Sequence, residues 1–336
     1  MKDIYRYLGR PDQLWGAEES RLVGGRGDGM RLLTVNNGAG MLLTISEDRA
    51  ADISRLSYKG VNLGYFGPSG YVAPAYYSGE SGIGFTKCFT AGFLTTCGLT
   101  AVGSSCEDEG EKTHVHGTLM HIPAERVNVV AGDDAIKVTA EIRDAALFGV
   151  KYLMVREYDI PVMGGGFTIT DRITNIGSKT QPLMTLYHFN MGYPLLSPSA
   201  KVAIPSNKVT PRTPRAAEGT GRELVMEEPQ RGFTEQCYYH DVIRDEKGIA
   251  SAGIFNPDCG VGVKLSWDAV PLDYFTEWKM MGEQEYVLGL EPGNCHPDGR
   301  DVMRRQGRLR FLDPGETAVH RIRVAMLESE DQLPGR

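Results

Sequence analysis

No apolar run in the 336 residues approaches the roughly 20 that a membrane-spanning helix requires. The opening Met1-Lys2-Asp3-Ile4-Tyr5-Arg6 carries charge where an export signal would place its apolar stretch, so a cytoplasmic location is expected. Six cysteines, at 88, 97, 106, 237, 259 and 295, form no Cys-x-x-Cys. That excludes zinc-ribbon and thioredoxin-type sites and leaves reduced thiols as the expectation. Basic runs are missing too: the formal net charge is -7, and Met303-Arg304-Arg305 is too short to matter. Nucleic acid and anionic membrane are thereby disfavoured as partners. The chain lacks Gly-x-Ser-x-Gly and a phosphate-binding loop. The glycines at 24, 25, 27 and 29 do not sit between a strand and a helix, as a dinucleotide fingerprint requires. Helical periodicity is poor, with 14–22 the best candidate, and no 20–50-residue repeat is present.

What the chain has is alternation broken by turns. Glycine (41) and proline (18) punctuate it at intervals short enough for many connections. Between them Ile136, Val138, Ala140 and Ile142 alternate with polar residues, as do Phe167, Ile169 and Ile173, and Val261, Val263, Leu265 and Trp267. Period two is the half-buried strand signal. Residues 308–312 and 317–326 read as two strands joined by the tight turn Asp313-Pro314-Gly315-Glu316. The expected fold is all-β: one large antiparallel β-sandwich spanning 1–336, with few short helices. In this reading 1–30 is a peripheral segment and 205–232, rich in Pro, Arg, Glu and Gly, a long surface loop.

Three stretches could carry chemistry: His114-Val115-His116-Gly117, Tyr187-His188-Phe189-Asn190, and Leu290-Glu291-Pro292-Gly293-Asn294 running into Pro297-Asp298. Each residue alone is explained by packing, as a core histidine or a strand-end carboxylate. Together, two imidazoles and a carboxylate at strand ends are what general acid–base catalysis needs. A metal reading stands beside it. His114, His116 and His121 are close in sequence, but Glu125 lies nine residues beyond His116, and the ligand set is incomplete for a His-x-His site.

These stretches, in this order, resemble the aldose 1-epimerase (galactose mutarotase-like) superfamily, and most closely its bacterial branch known as domain of unknown function 4432. Leu94-Thr95-Thr96-Cys97-Gly98-Leu99, His116-Gly117, Tyr187-His188-Phe189-Asn190, Leu290-Glu291-Pro292 and Asp313-Pro314-Gly315-Glu316 carry the resemblance, from about Arg31 to Met326. It implies a mutarotase-like supersandwich and a cofactor-free, metal-free isomerase interconverting sugar anomers. His188 would be the acid, Glu291 the base and His116 a third catalytic group. Trp278, Lys279, Asn190, Asn294, Asp298 and Lys87 are the implied substrate contacts. The superfamily's substrate arginine, upstream of the first histidine, has no clear match; Lys87 is the nearest basic residue there. The only expected ligand is a small sugar, and a homodimer is the default assembly.

Carboxylates and imidazoles titrate near 4.3 and 6.5 unperturbed, so burial of Glu291 and an anionic neighbour for His188 would bring both towards neutrality. Two other functions fit the same residues: a non-catalytic sugar-binding protein on this fold, and a metal-dependent sugar isomerase or lyase built on His114 and His116.

Overall fold

The computed structural model describes residues 4–79 and 82–335. The alternating segments are strands. In Ala135–Ala145, the side chains of Ile136, Val138, Ala140 and Ile142 all point inward and are fully buried. Val261–Asp268 repeats this with Val261, Val263, Leu265 and Trp267. In Gly166–Asn175 the inward series also includes Asp171, 0% exposed, and a charge there needs a partner. Arg156, on the neighbouring Lys151–Pro161, donates to it from Nε at 2.8 Å and from a terminal nitrogen at 2.6 Å. The same guanidinium reaches Asp52 at 2.5 Å and Thr96 at 2.8 Å. One buried cation thus ties together strands that lie far apart in sequence.

Two antiparallel sheets dominate. The eight-stranded sheet runs Arg126–Ala131, Ala135–Ala145, Lys151–Pro161, Gly166–Asn175, Thr317–Leu327, Val261–Asp268, Ile249–Asn256, Lys201–Ala203. The seven-stranded sheet orders Ser206–Pro211, Gln236–Val242, Tyr274–Gly282, Glu285–Gly293 and Gln181–Met191, the last pairing with both Leu94–Leu99 and Arg310–Leu312. A five-stranded sheet built from the N-terminal strands completes the body, and all three sheets contribute to one apolar cluster reaching from Trp15 to Met326. The longest α-helix among the described residues, Arg300–Arg305, has six residues, and no described helix is long and apolar enough to cross a membrane.

Two expectations change. The helical candidate at 14–22 is instead the edge strand Gly16–Arg21, paired with Arg31–Asn36 from Gly16↔Asn36 to Arg21↔Arg31. Ladder hydrogen bonds hold it, and its last four residues are exposed, which removes the strand signal from the sequence. The segment 205–232 is not loop throughout: it opens with the edge strand Ser206–Pro211, paired with Gln236–Val242. Its short helix Pro214–Ala217 is capped by the Thr213 side chain, which accepts from Ala216 N. The strands Arg310–Leu312 and Thr317–Leu327 are joined by the Asp313–Glu316 turn as the sequence indicated, and that turn passes the chain from one large sheet to the other.

Candidate active site

Gln181–Met191 is buried on both faces. Its odd-numbered Leu183, Tyr187, Phe189 and Met191 enter the main core. On the opposite face Met184 and Leu186 join a smaller cluster with Cys97, Val102 and Cys295, and His188 follows them into a cleft of about 630 Å³. The adjacent Glu285–Gly293 sends Val287 and Glu291 into the same cleft, and Tyr274–Gly282 sends Thr276, Trp278 and Met280. These faces are aligned by register, with Thr276 opposite Glu291 and Trp278 opposite Gly289. The Glu291 side chain lies back along its strand over Gly289, where a Cβ would collide with its carboxylate. A glycine at 289 is what leaves that room.

His188 Nε2 stands 3.1 Å from Glu291 Oε1. The pair touches without the alignment of a hydrogen bond, and Oε1 and His188 Nδ1 have no hydrogen-bond partner among the described residues. Buried polar atoms are rarely left in this state. His116 brings a third such atom, Nδ1. Its backbone is left-handed at φ 57°, held by its N–H donating to Gly103 O at 2.8 Å and its carbonyl accepting from Gly98 N at 3.1 Å. Gly117 beside it is also left-handed, at φ 76°, and packs on the Gly98 carbonyl so closely that a Cβ would overlap it. The His-Gly and Cys-Gly pairs of the sequence are therefore two sides of one contact.

Aromatic rings enclose the imidazoles. Phe85 stacks on His116 at 5.3 Å between ring centres, and His188 meets the edges of Phe89, Trp278 and His116 at 5.7, 5.3 and 5.8 Å. Burial, then the neighbouring His188 and Arg212, lowers the His116 pKa to about 3. Burial lowers His188 to about 4, against a raising influence from the Asn190 side chain. Burial, reinforced by Glu235 and opposed by Arg212, holds Glu291 well above the carboxylate range. The expectation that an anionic neighbour would raise His188 is thus corrected: the buried Glu291 favours its protonated form and supplies no full charge.

Three charged residues that the sequence did not single out line the cleft, Arg212, Glu235 and Glu285. Arg212 directly follows Ser206–Pro211. It donates from Nε to Asp298 at 3.0 Å and from a terminal nitrogen to Pro297 O at 2.9 Å. Glu235 accepts from Trp278 Nε1 at 2.7 Å and so fixes the plane of that ring. Arg212 lies within the stretch read as patternless and Glu235 just beyond its end, where no periodicity points to a side chain.

Of the residues implied by resemblance, His116, His188, Glu291 and Trp278 line the cleft. Five do not. Lys279 follows Trp278 on a strand and so takes the opposite face; it is 2% exposed, and its Nζ donates to the carbonyls of Val225 and Arg222 at 2.7 and 3.3 Å. Lys87 lies exposed at the end of the short helix Ile83–Thr86. Asn294 is consumed by the backbone, accepting from Thr185 N at 2.7 Å and donating to Leu183 O at 3.1 Å. Asn190 donates to the carbonyls of His188 and Gly92 at 2.9 and 3.2 Å. Asp298 stands behind Arg212, where it also accepts from Tyr239 at 2.5 Å. The metal reading loses its ligand set as well. His114 Nδ1 contacts Gly79 O at 3.0 Å, His121 stacks on Tyr77, and Glu125 pairs with Arg143. Among the described residues no three His, Cys, Asp or Glu side chains gather as metal ligands would.

Residues 27–326 match the family described as domain of unknown function, DUF4432. A Klebsiella pneumoniae protein provisionally named an aldose 1-epimerase superposes with a TM-score of 0.89 at 23% identity, over 96% of this chain and 87% of that one. A galactose mutarotase-like protein from Clostridium acetobutylicum gives 0.67 at 13% identity, over 94% and 100%. Galactose 1-epimerase from Lactobacillus acidophilus gives 0.62 at 12%, also over 94% and 100%. No curated protein matches. At these identities the likeness is one of fold: the sandwich is that of the galactose mutarotases.

Proposed function

The chain belongs to the DUF4432 family, and from that premise we propose that it is an aldose 1-epimerase-type isomerase, exchanging sugar anomers by acid–base ring opening and closure. The observation that carries the reading is the 3.1 Å approach of His188 Nε2 to Glu291 Oε1, buried yet facing the cleft. In a pyranose, O1 and O5 are bonded to the same carbon. An acid and a base acting on both must stand side by side. Glycoside hydrolysis instead uses two carboxyl groups about 5–9.5 Å apart.

Burial pushes His188 down and Glu291 up, which leaves one proton on the pair and favours its residing on Glu291 before substrate binds. Ring opening from that state has His188 Nε2 take the O1 proton while Glu291 gives its own to O5. The C1–O5 bond breaks, C1=O1 forms, and the pair again holds one proton, now on His188. Rotation about C1–C2 and closure onto the other face of C1 reverse the roles, with Glu291 as base towards O5 and His188 as acid towards O1; for ring opening this is the reverse of the assignment implied by resemblance, in which Glu291 takes the O1 proton and His188 protonates O5. Both states carry the same number of protons, so the pair needs no external donor, and nothing is oxidised or reduced. Asn190 Oδ1 is unpartnered and lies on the same strand face as His188; it would hold a proton on Nδ1 and keep Nε2 towards the substrate. His116, neutral at working pH, offers Nδ1 to a sugar hydroxyl, and Trp278 presents its ring to the sugar's C–H face.

The test is NMR exchange spectroscopy on a panel of aldoses with the purified protein. The proposal expects accelerated exchange between the α and β resonances of at least one sugar. A panel with no acceleration above buffer counts against it.

A further inference from the structure

Beside the cleft lies a second cavity of about 380 Å³. Gly82, Phe85, Ser105 and Val115 line both, so the two are chambers of one groove, parted by the Phe85 ring on one side and by Ser105 and Val115 on the other. Each volume falls within the roughly 300–1,000 Å³ usual for small-molecule sites. The chain crosses from one chamber to the other along 114–116: His114 lines the outer and His116 the inner.

The outer chamber has the chemistry of a sugar subsite. Tyr77 supplies an aromatic wall, with the His114 ring edge-on to it at 5.9 Å. His114 Nδ1 is occupied by Gly79 O, which leaves Nε2 for a hydroxyl. Ser105 adds a hydroxyl group. The charges at its rim, Lys112 and Glu107, are register partners of opposite sign. In the inner chamber the one lining cation, Arg212, is paired with Asp298. The inner chamber has no unpaired cation among the described residues to receive a phosphate or carboxylate on the reacting unit.

We infer that the groove takes a reducing disaccharide, or the reducing end of a longer glycan, whose reacting unit is uncharged. The reacting unit sits at His188 and Glu291, and the next unit sits in the outer chamber. This rests on the isomerase reading for its orientation, because the reducing unit is the one with an anomeric hydroxyl. No new chemical step is added; the second unit contributes binding, and its absence from a monosaccharide leaves the outer chamber to water.

Two measurements test it separately. Anomer exchange of maltose, cellobiose and lactose is compared with that of glucose and galactose; kcat/KM for at least one disaccharide is expected to be roughly tenfold or more above its component monosaccharides. Lys112→Trp, which fills the outer chamber from its exposed rim, lowers that ratio. Independently of turnover, Cys106 is a half-buried thiol of the outer chamber, and its alkylation is followed by peptide mass spectrometry with and without each sugar. Protection by disaccharides at concentrations where monosaccharides give none is the expected result. Protection without exchange of any sugar supports the chamber and refutes the isomerase reading. Exchange of monosaccharides with no protection of Cys106 by any disaccharide overturns this inference and leaves the isomerase reading standing.

Discussion

Asp298 holds Arg212 by its Nε at 3.0 Å, across 86 residues of sequence and on the cleft's wall. The carboxylate also accepts from Tyr239, so it fixes the guanidinium at a defined place beside the acid–base pair. Arg212 opposes the upward shift of Glu291. Asp298→Ala removes a charge-assisted bond worth about 1.5–3 kcal/mol, and kcat/KM for anomer exchange is expected to fall on the order of 10- to 100-fold, with most of the change in KM. Unchanged kinetics would show that Arg212 keeps its place without it.

Gly289 makes room for the Glu291 carboxylate. Gly289→Ala places a methyl where Oε1 now lies. Because a flexible side-chain end must move rather than backbone, the fold survives and the pair separates. Exchange activity drops by about 10²-fold, in the range set by small displacements of catalytic groups, while Tm shifts by only a few degrees. A fall in Tm with activity preserved would contradict the packing account.

The pH profile of kcat/KM reports the free enzyme's ionisations. The active pair carries one proton. As pH falls through about 4, His188 takes a second proton and activity is lost. As pH rises through the raised pKa of Glu291, the only proton leaves and activity is lost again. The acid limb is therefore expected well below the roughly 6.5 of a free imidazole. An acid limb at that ordinary value would show that burial does not control His188.

Arg156 is 0% exposed and bonds Asp52, Asp171 and Thr96. Tyr187, the residue before His188, donates to the same Asp171 at 2.7 Å. Arg156→Met leaves two carboxylates in the core without their cation, expected to cost about 3–5 kcal/mol in urea unfolding. Asp171→Asn in the same background should recover part of the loss; no recovery would locate the damage elsewhere.

The sequence announced its strands wherever one face meets water. Ala135–Ala145 and Val261–Asp268 are legible because inward aliphatics alternate with outward polar side chains. Gln181–Met191 is buried on both faces, so its pattern is continuous and only its His and Asn stood out. Gly16–Arg21 is held by ladder bonds with little apolar burial, and it read as a helix. At the site, His116, His188, Glu291 and Trp278 were found because residue type and order pointed to them. Lys279 was misplaced for a reason visible in the sequence: a neighbour of Trp278 on a strand faces the other way. Asn294 and Asn190 spend their amides on backbone, which only three-dimensional contacts reveal. Arg212 was invisible because it lies inside a segment without periodicity, and Glu235 because it stands just beyond that segment's end; tertiary pairing with Asp298 and Trp278 brings them to the cleft.

The most direct test of the central claim compares wild-type protein with Glu291→Gln by NMR anomer-exchange spectroscopy at matched concentration, on whichever sugar responds, with binding followed in parallel by calorimetry. Glutamine keeps the shape of the side chain but can neither give a proton to O5 nor take it back. Binding retained with exchange lowered by about 10²–10⁴-fold, the usual contribution of a positioned acid–base group, is the predicted result. Equal exchange by both proteins would contradict the account, and sugar binding by both with no exchange by either would make the cleft a binding site without catalysis.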